Sequence, residues 1–183
     1  MQGDVRYRII KPRFNEGKIK RFGDIVKIVR KSVLAADLGK NGDRFNRILD
    51  HTEEFTINEL VLIGRLCNLS LPEMLTLVGH DYSGKIPRGK RDDRYDFVRT
   101  MYNEGEITSF EQIFEIVPRY IVAKDLRTKR QRLGRLINQI EKFSIKELIS
   151  IGKLCHLNTN EIFSLVAATY ASQVNKKKKN VRS

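Results

Sequence analysis

The sequence has little from which to build a membrane span, a disulfide framework or a metal centre. No apolar run approaches the roughly 20 residues that a bilayer-spanning helix needs. The opening residues, MQGDVRYRII, hold no apolar signal core, so no membrane partner is expected and a cytoplasmic address is the default. Two cysteines in 183 residues make no disulfide scaffold and agree with a reducing compartment. Cys67 and Cys155, with His51, His80 and His156, are too few at suitable spacing to ligate zinc, so no metal or cofactor is expected. No constellation of nucleophile, base and metal ligands stands out, which makes an enzyme the least expected class and leaves no small-molecule substrate evident. Strand-like alternation is absent. Aromatic residues are 8% of the chain, and the aromatic-rich platforms on which RNA binders stack bases are missing.

What the chain has in surplus is positive charge. Lys and Arg number 35 against 22 acids, a formal net charge of +13, and the isoelectric point is near 9.9. A surplus of that size favours a polyanionic partner, through phosphate neutralisation and counterion release. Lys177, Lys178, Lys179 and Arg182 sit in the last seven residues, yet the body stays basic without them. Residues 1–88 hold sixteen cations against eleven acids, and residues 89–176 fifteen against eleven. The Lys176–Lys179 run reads as part of a disordered basic tail (171–183) that strengthens nonspecific affinity.

Shifted by 88 positions, the sequence aligns with itself. Asn15-Glu16-Gly17 falls on Asn103-Glu104-Gly105, Phe55 on Phe143, and Leu77-Val78 on Leu165-Val166; residues 15–78 and 103–166 share 26 identities in 64 positions without a gap. The organisation implied is a first repeat over 1–82, a linker over 83–91 (SGKIPRGKR, rich in Gly, Pro and charge), a second repeat over 92–170, and the tail.

Each repeat reads as helical throughout. A first helix is predicted over about 4–14 and 92–102, stopped by NEG with Gly17 or Gly105 suited to a left-handed position. A second carries Phe22, Ile25, Ile28 and Val29 on one stripe, repeated by Phe110, Ile113, Ile116 and Val117. A short pair follows: KSVLAADLG (31–39) with KNGDRFNRILDH (40–51), and RYIVAKDLR (119–127) with TKRQRLGRLINQ (128–139). Leu34, Ala35 and Leu38 face inward from one, and Phe45, Ile48 and Leu49 from the other. Small Ala35 and Ala123 let the two approach. TINE (56–59) and SIKE (144–147) spell capping boxes for a fifth helix, and SLPE (70–73) and NTNE (158–161) begin a last one. Cys67 and Cys155 recur on the apolar side of the fifth helix as small core residues.

Two short helices joined by a tight turn, then two more closing the core, is the layout of a helix-turn-helix domain. LAADLGKNGDRFNRIL (34–49) followed by FTINELVLIGRLCNLSLPEML (55–75) resembles the Cro/phage-repressor (XRE-like) class, through Leu34-Ala35, Leu38-Gly39, Phe45, Ile48, Leu66 and Leu69. The likeness covers about 45 residues of each copy, and the whole is similar to duplicated helix-turn-helix proteins of Bacteroides-type bacteria. The copies depart from the pattern in lacking the usual Arg-rich first helix. Copy two also has Val122 for Leu and Arg127 for the turn glycine Gly39, from which a reshaped turn is expected.

The resemblance implies an all-α fold of two tandem helix-turn-helix domains whose fourth helices enter the major groove of double-stranded DNA. The implied reading face comprises Asn41, Asp43, Arg44, Asn46 and Arg47 in copy one, with Gly42 among them, and Lys129, Arg130, Gln131, Arg132 and Arg135 in copy two, with Gly134. Arg44/Arg132 and Arg47/Arg135 persist in both copies, three apart. Arg suits guanine O6 and N7 or a phosphate, and Asn or Gln suits adenine. Lys31 and Arg119, at the start of the helix before the turn, take the family's phosphate contact. The function implied is transcriptional or replicon regulation, with one chain reading two half-sites that need not be identical. The alternative is a protein-interaction module that has kept the fold and lost DNA contact. Further homodimerisation stays open.

Overall fold

The computed structural model describes residues 5–79 and 92–180, without the side chains of Arg44 and of residues 177–180. The chain divides into two compact units, Met1–Ser83 and Gly84–Ser183. Both are helical, with no strand among the described residues. The linker read over 83–91 lies outside them.

In unit 1 a 3-10 turn at Val5–Ile9 leads into α1 (Ile10–Asn15), followed by α2 (Phe22–Ile28), α3 (Lys31–Asp37) and α4 (Gly42–Asp50). A 3-10 turn at Thr52–Glu54 then passes to α5 (Ile57–Cys67) and α6 (Leu71–Gly79). Unit 2 comprises α7 (Arg94–Asn103), a 3-10 turn at Phe110–Gln112, α8 (Ile113–Ile116), α9 (Arg119–Asp125) and α10 (Arg130–Asn138). It ends with a 3-10 turn at Ile140–Lys142, α11 (Ile145–Leu154) and α12 (Thr159–Asn180). The pairs α3/α9 and α4/α10, and the 3-10 turns that follow them, match in length and start 88 positions apart.

The helix boundaries have local chemical causes. Thr56 Oγ1 accepts the Glu59 N–H at 3.2 Å while Glu59 Oε2 accepts the Thr56 N–H at 2.9 Å. Ser144 and Glu147 repeat the exchange at 3.3 and 3.0 Å. These are the reciprocal bonds of a capping box, and each satisfies N–H groups that a helix start leaves without partners. Asn158 and Glu161 do the same for α12, at 2.7 and 3.0 Å. The first helix of unit 1, predicted as one piece, opens as a 3-10 turn before becoming α1, and the second stripe of unit 2 divides between a 3-10 turn and the four-residue α8.

The two cores are built on the same positions with different side chains. In unit 1 the buried rings of Phe22 and Phe55 pack at 4.9 Å between centroids, and Phe45 meets Phe55 at 6.3 Å. In unit 2 Leu133 stands where Phe45 does, and the third ring comes from Phe114, 5.3 Å from Phe110, which also meets Phe143 at 5.3 Å. Tilted and edge-on rings of this kind each add about 0.5–1.5 kcal/mol beyond the area they bury. Buried Tyr7 and Tyr95 tie the first helix of each unit to the end of the third: Tyr7 OH donates to Asp37 Oδ2 at 2.7 Å and Tyr95 OH to Asp125 Oδ2 at 2.8 Å.

One expectation is overturned at the C-terminus. The stretch read as a disordered tail from residue 171 continues α12 through Asn180. Buried Thr169 accepts the Phe110 N–H at 2.9 Å, and Gln173 Nε2 donates to Glu111 Oε1 at 2.7 Å. These contacts hold the extension against the second-helix region of its own unit, which the lysine-rich composition of the tail concealed.

The crossing of the last two helices in unit 1 depends on Gly64. A Cβ there would stand 2.6 Å from the Leu69 carbonyl oxygen and 3.1 Å from Met74 Cγ. At Gly152 the nearest neighbour would be Ile162 Cβ at 3.0 Å. Gly64→Ala is therefore expected to destabilise unit 1 by about 1–3 kcal/mol, because backbone must move, and Gly152→Ala to cost less. Denaturant unfolding of the two variants checks the order.

Candidate nucleic-acid interface

In unit 1, α3 and α4 are joined by Leu38-Gly39-Lys40-Asn41. The Gly39 N–H donates to the Ala36 carbonyl at 3.0 Å and the Lys40 N–H to the Ala35 carbonyl at 2.9 Å, with Gly39 at φ +61°. This bond pair closes a helix through one left-handed residue. Asn41 Oδ1 then accepts the Asp43 N–H at 2.9 Å and caps α4. In unit 2 the turn is the same, not reshaped. Arg127 itself takes the left-handed place at φ +51°, with Arg127 N–H to the Lys124 carbonyl at 3.0 Å and Thr128 N–H to the Ala123 carbonyl at 2.8 Å. The surrounding bonds over-determine that conformation and hold it against a cost of about 1–2 kcal/mol. Ala35 and Ala123 are buried between the paired helices.

The outward faces of α4 and α10 carry most of the residues singled out from the sequence. Asn41, Gly42, Asp43, Asn46 and Arg47 are exposed, while Phe45 is buried beneath them. Lys129, Arg130, Gln131, Arg132 and Arg135 are exposed over buried Leu133, Leu136 and Ile137, and Gly134 is half-buried. The Arg44 side chain lies outside the described residues. Lys31 opens α3, and its Nζ is 4.0 Å from Asp50 Oδ1 near the far end of α4. Arg119 opens α9; a Cβ at Gly134 would be 4.0 Å from its guanidinium, so Arg119 reaches toward the outer side of α10.

The two faces differ in charge. On α4, Arg47 shares the surface with Asp43 and Asp50, whereas α10 has Arg130 and Arg135 and no acid in its length, with Lys129 at its start. The N-terminal turn of α10 is also where backbone N–H groups concentrate positive potential.

Two members of the sequence-predicted face are already engaged. Asn41 spends its carbonyl oxygen on the cap. Arg132 Nη1 donates to Glu147 Oε1 and, at 3.4 Å, to Thr128 Oγ1. The kept pair Arg44/Arg132 is thus not a pair of free base-reading groups, because Arg132 is drawn to the head of α11. In unit 1 the equivalent carboxylate, Glu59, takes Lys40 at 2.7 Å. Arg47 and Arg135 are the kept pair that remains on the outward face.

Sequence reasoning identified Glu59 and Glu147 only as caps and missed their second bond. It also missed Lys11–Glu73 at 2.5 Å and Arg99–Glu161 at 2.6 Å, ion pairs between first and last helices at equivalent positions. For the second set the signal was available: Glu73 and Glu161, like Asp37 and Asp125, recur at an offset of 88 with a cation or tyrosine recurring opposite, whereas Lys40 is matched by Thr128.

Cys67 and Cys155 are fully buried, which pushes both thiols up to about 12. They are not nucleophiles near neutral pH. Among the described residues no group of His, Cys, Asp or Glu is arranged to hold a metal ion, and no single helix is long and apolar enough to cross a membrane.

Glu59 supplies a pH test. Burial opposes its charge, but the bonds from Lys40 and Thr56 outweigh that and hold the carboxyl below its usual 4.5. A carboxyl depressed in the folded state contributes stability present above the unfolded value and lost as pH falls through the folded one. Unit 1 should therefore lose stability as pH drops below about 4.5. In Glu59→Gln this acid limb should flatten, with about 1–2 kcal/mol already lost at pH 7. Thermal melts across pH decide it.

Set against protein-family models, curated proteins and solved structures, the chain has no match, so its function is read from this geometry.

Proposed function

We propose that this chain is a non-enzymatic, sequence-specific double-stranded DNA-binding protein made of two tandem helix-turn-helix units of the Cro/phage-repressor kind, acting in transcriptional or replicon regulation. The observation that carries the reading is the pairing of α3 with α4 and of α9 with α10. In each pair a four-residue turn sets an exposed polar helix over a buried apolar face. A nine-residue helix is about 13 Å long, and the major groove, about 12 Å wide, admits one helix with its side chains. Arg135, Arg130 and Gln131 are groups able to read guanine or adenine edges; Lys31 and Arg119 suit phosphates.

The charge contrast divides the work. Unit 2, with an acid-free face, supplies most of the affinity, and unit 1, with Asn46, Arg47 and Asp43, refines selection. The near balance of charge on α4 also favours a second reading for unit 1, a protein-interaction surface on the same fold.

Binding to duplex DNA should weaken steeply with salt, at about one unit of log–log slope for each phosphate contact. A slope near zero would reject the reading. Arg130→Ala with Arg135→Ala should cost about 1–3 kcal/mol per lost bidentate contact and leave the melting temperature unchanged. Arg132→Ala should do the reverse, lowering stability by up to about 1 kcal/mol through the lost Glu147 pair while leaving base preference intact. Titrations and melts on the same samples separate the two effects.

A further inference from the structure

The large hydrophobic side chains left exposed among the described residues are Val5, Ile9, Phe97 and Tyr120. All but Tyr120 belong to the first helical segment of a unit. Ile9, 41% exposed, and Phe97, 53% exposed, are equivalent residues 88 apart. The inward side of these segments is already held by Ile10 in unit 1 and by Tyr95 and Val98 in unit 2. A single apolar side chain at the surface is ordinary. The same exposed position kept apolar in both copies is a shared feature of the two units.

The residues four positions away turn the recurrence into a pattern. On α7, Asp93, Phe97 and Met101 are spaced by four and share a face. Asp93 and Phe97 are exposed there and Met101 is half-buried. The equivalents in unit 1 are Val5, Ile9 and Arg13. Ile9 precedes α1 with helical backbone angles, so exposed Arg13 stands one turn beyond it on the same side. The acid of unit 2 comes before the apolar centre, and the cation of unit 1 comes after it. Two antiparallel helices crossing at Ile9 and Phe97 therefore set Arg13 against Asp93 and Val5 against Met101. Like faces give no such match: two from unit 1 set Arg13 against Val5, and two from unit 2 set Asp93 against Met101. Both charges are open to such a partner. Asp93 makes no side-chain bond to the helix start it occupies. The Glu16 carboxyl is held below its usual range first by Lys18, at 2.8 Å, and only weakly by Arg13.

We infer that this chain pairs with a second copy of itself through its first helices, the unit 1 face of each copy on the unit 2 face of the other. Reciprocal contacts of this kind close a twofold dimer with two equal crossings. The doubling matters, because a stable interface buries roughly 1,200 Å² or more and a single crossing of short helices is small. The inference stands independently of the DNA reading, since none of these residues lies on the outward faces of α4 and α10.

Sedimentation of the full chain across a concentration series should show a monomer–dimer equilibrium. Ile9→Glu and Phe97→Glu should each abolish it with the helical circular dichroism unchanged. Arg13→Asp or Asp93→Arg should weaken it by roughly tenfold or more, because like charges then meet, and the two together should restore it. Cysteine variants identify the faces directly. A mixture of Ile9→Cys and Phe97→Cys chains should form a disulfide-linked dimer under mild oxidation, and neither variant alone should, Cys67 and Cys155 being buried. If a charge variant fails to fold, the cysteine mixture decides alone. The inference is overturned if the chain stays monomeric at every concentration or if association survives both glutamate variants. It is also overturned if the exchanged charges do not restore pairing, or if either cysteine variant links to itself as readily as the mixture. A chain carrying both cysteines that closes the bond within itself would equally replace the second copy with the chain's own other unit.

Discussion

A carboxylate at the third position of a capped helix has half its bonding set within its own first turn. Glu59 and Glu147 bond the N–H and hydroxyl of Thr56 and Ser144, and this leaves each with an oxygen turned toward the preceding helix pair. Partial burial makes a bare charge costly, so a cation must meet it. In unit 1 it comes from the turn, as Lys40; in unit 2 it comes from within α10, as Arg132. Either way the fifth helix is bonded to the turn-and-helix segment whose outer face is proposed to meet DNA. The same bond withdraws one cation per unit from the outward surface, which is why net charge alone overstates how many groups await phosphate.

The two units show how far one arrangement tolerates substitution. A phenylalanine lost at position 133 is replaced by one gained at 114, so each unit keeps a cluster of three phenylalanine rings in contact. The left-handed turn survives the exchange of Gly39 for Arg127 because the flanking backbone bonds are conserved. The helix that closes unit 2 runs for 22 residues, from Thr159 to Asn180.

The helix starts were legible because hydroxyl and glutamate at fixed spacing encode them locally, and the core was legible from apolar spacing repeated in both copies. Cys67 and Cys155 were placed correctly in the core by the same logic. The reading face was legible only as a set of exposed positions. Whether Arg132 points outward or toward Glu147 depends on a neighbour fifteen residues away, which helical periodicity does not encode. Composition misled at the C-terminus, where lysines signalled disorder while Thr169 and Gln173, unremarkable in sequence, anchored a helix. The reshaped turn was misjudged because intrinsic strain at Arg127 was weighed without the bonds that hold it.

The central claim is that the exposed faces of α4 and α10 read DNA sequence. Selection of bound sites from random duplex DNA by the full chain tests it most directly. The account predicts enriched sites made of two unlike half-sites, because α4 presents Asp43, Asn46 and Arg47 where α10 presents Gln131, Gly134 and Arg135. Recovery of an unenriched pool, bound through charge alone and indifferent to Arg47→Ala and Arg135→Ala, would contradict it.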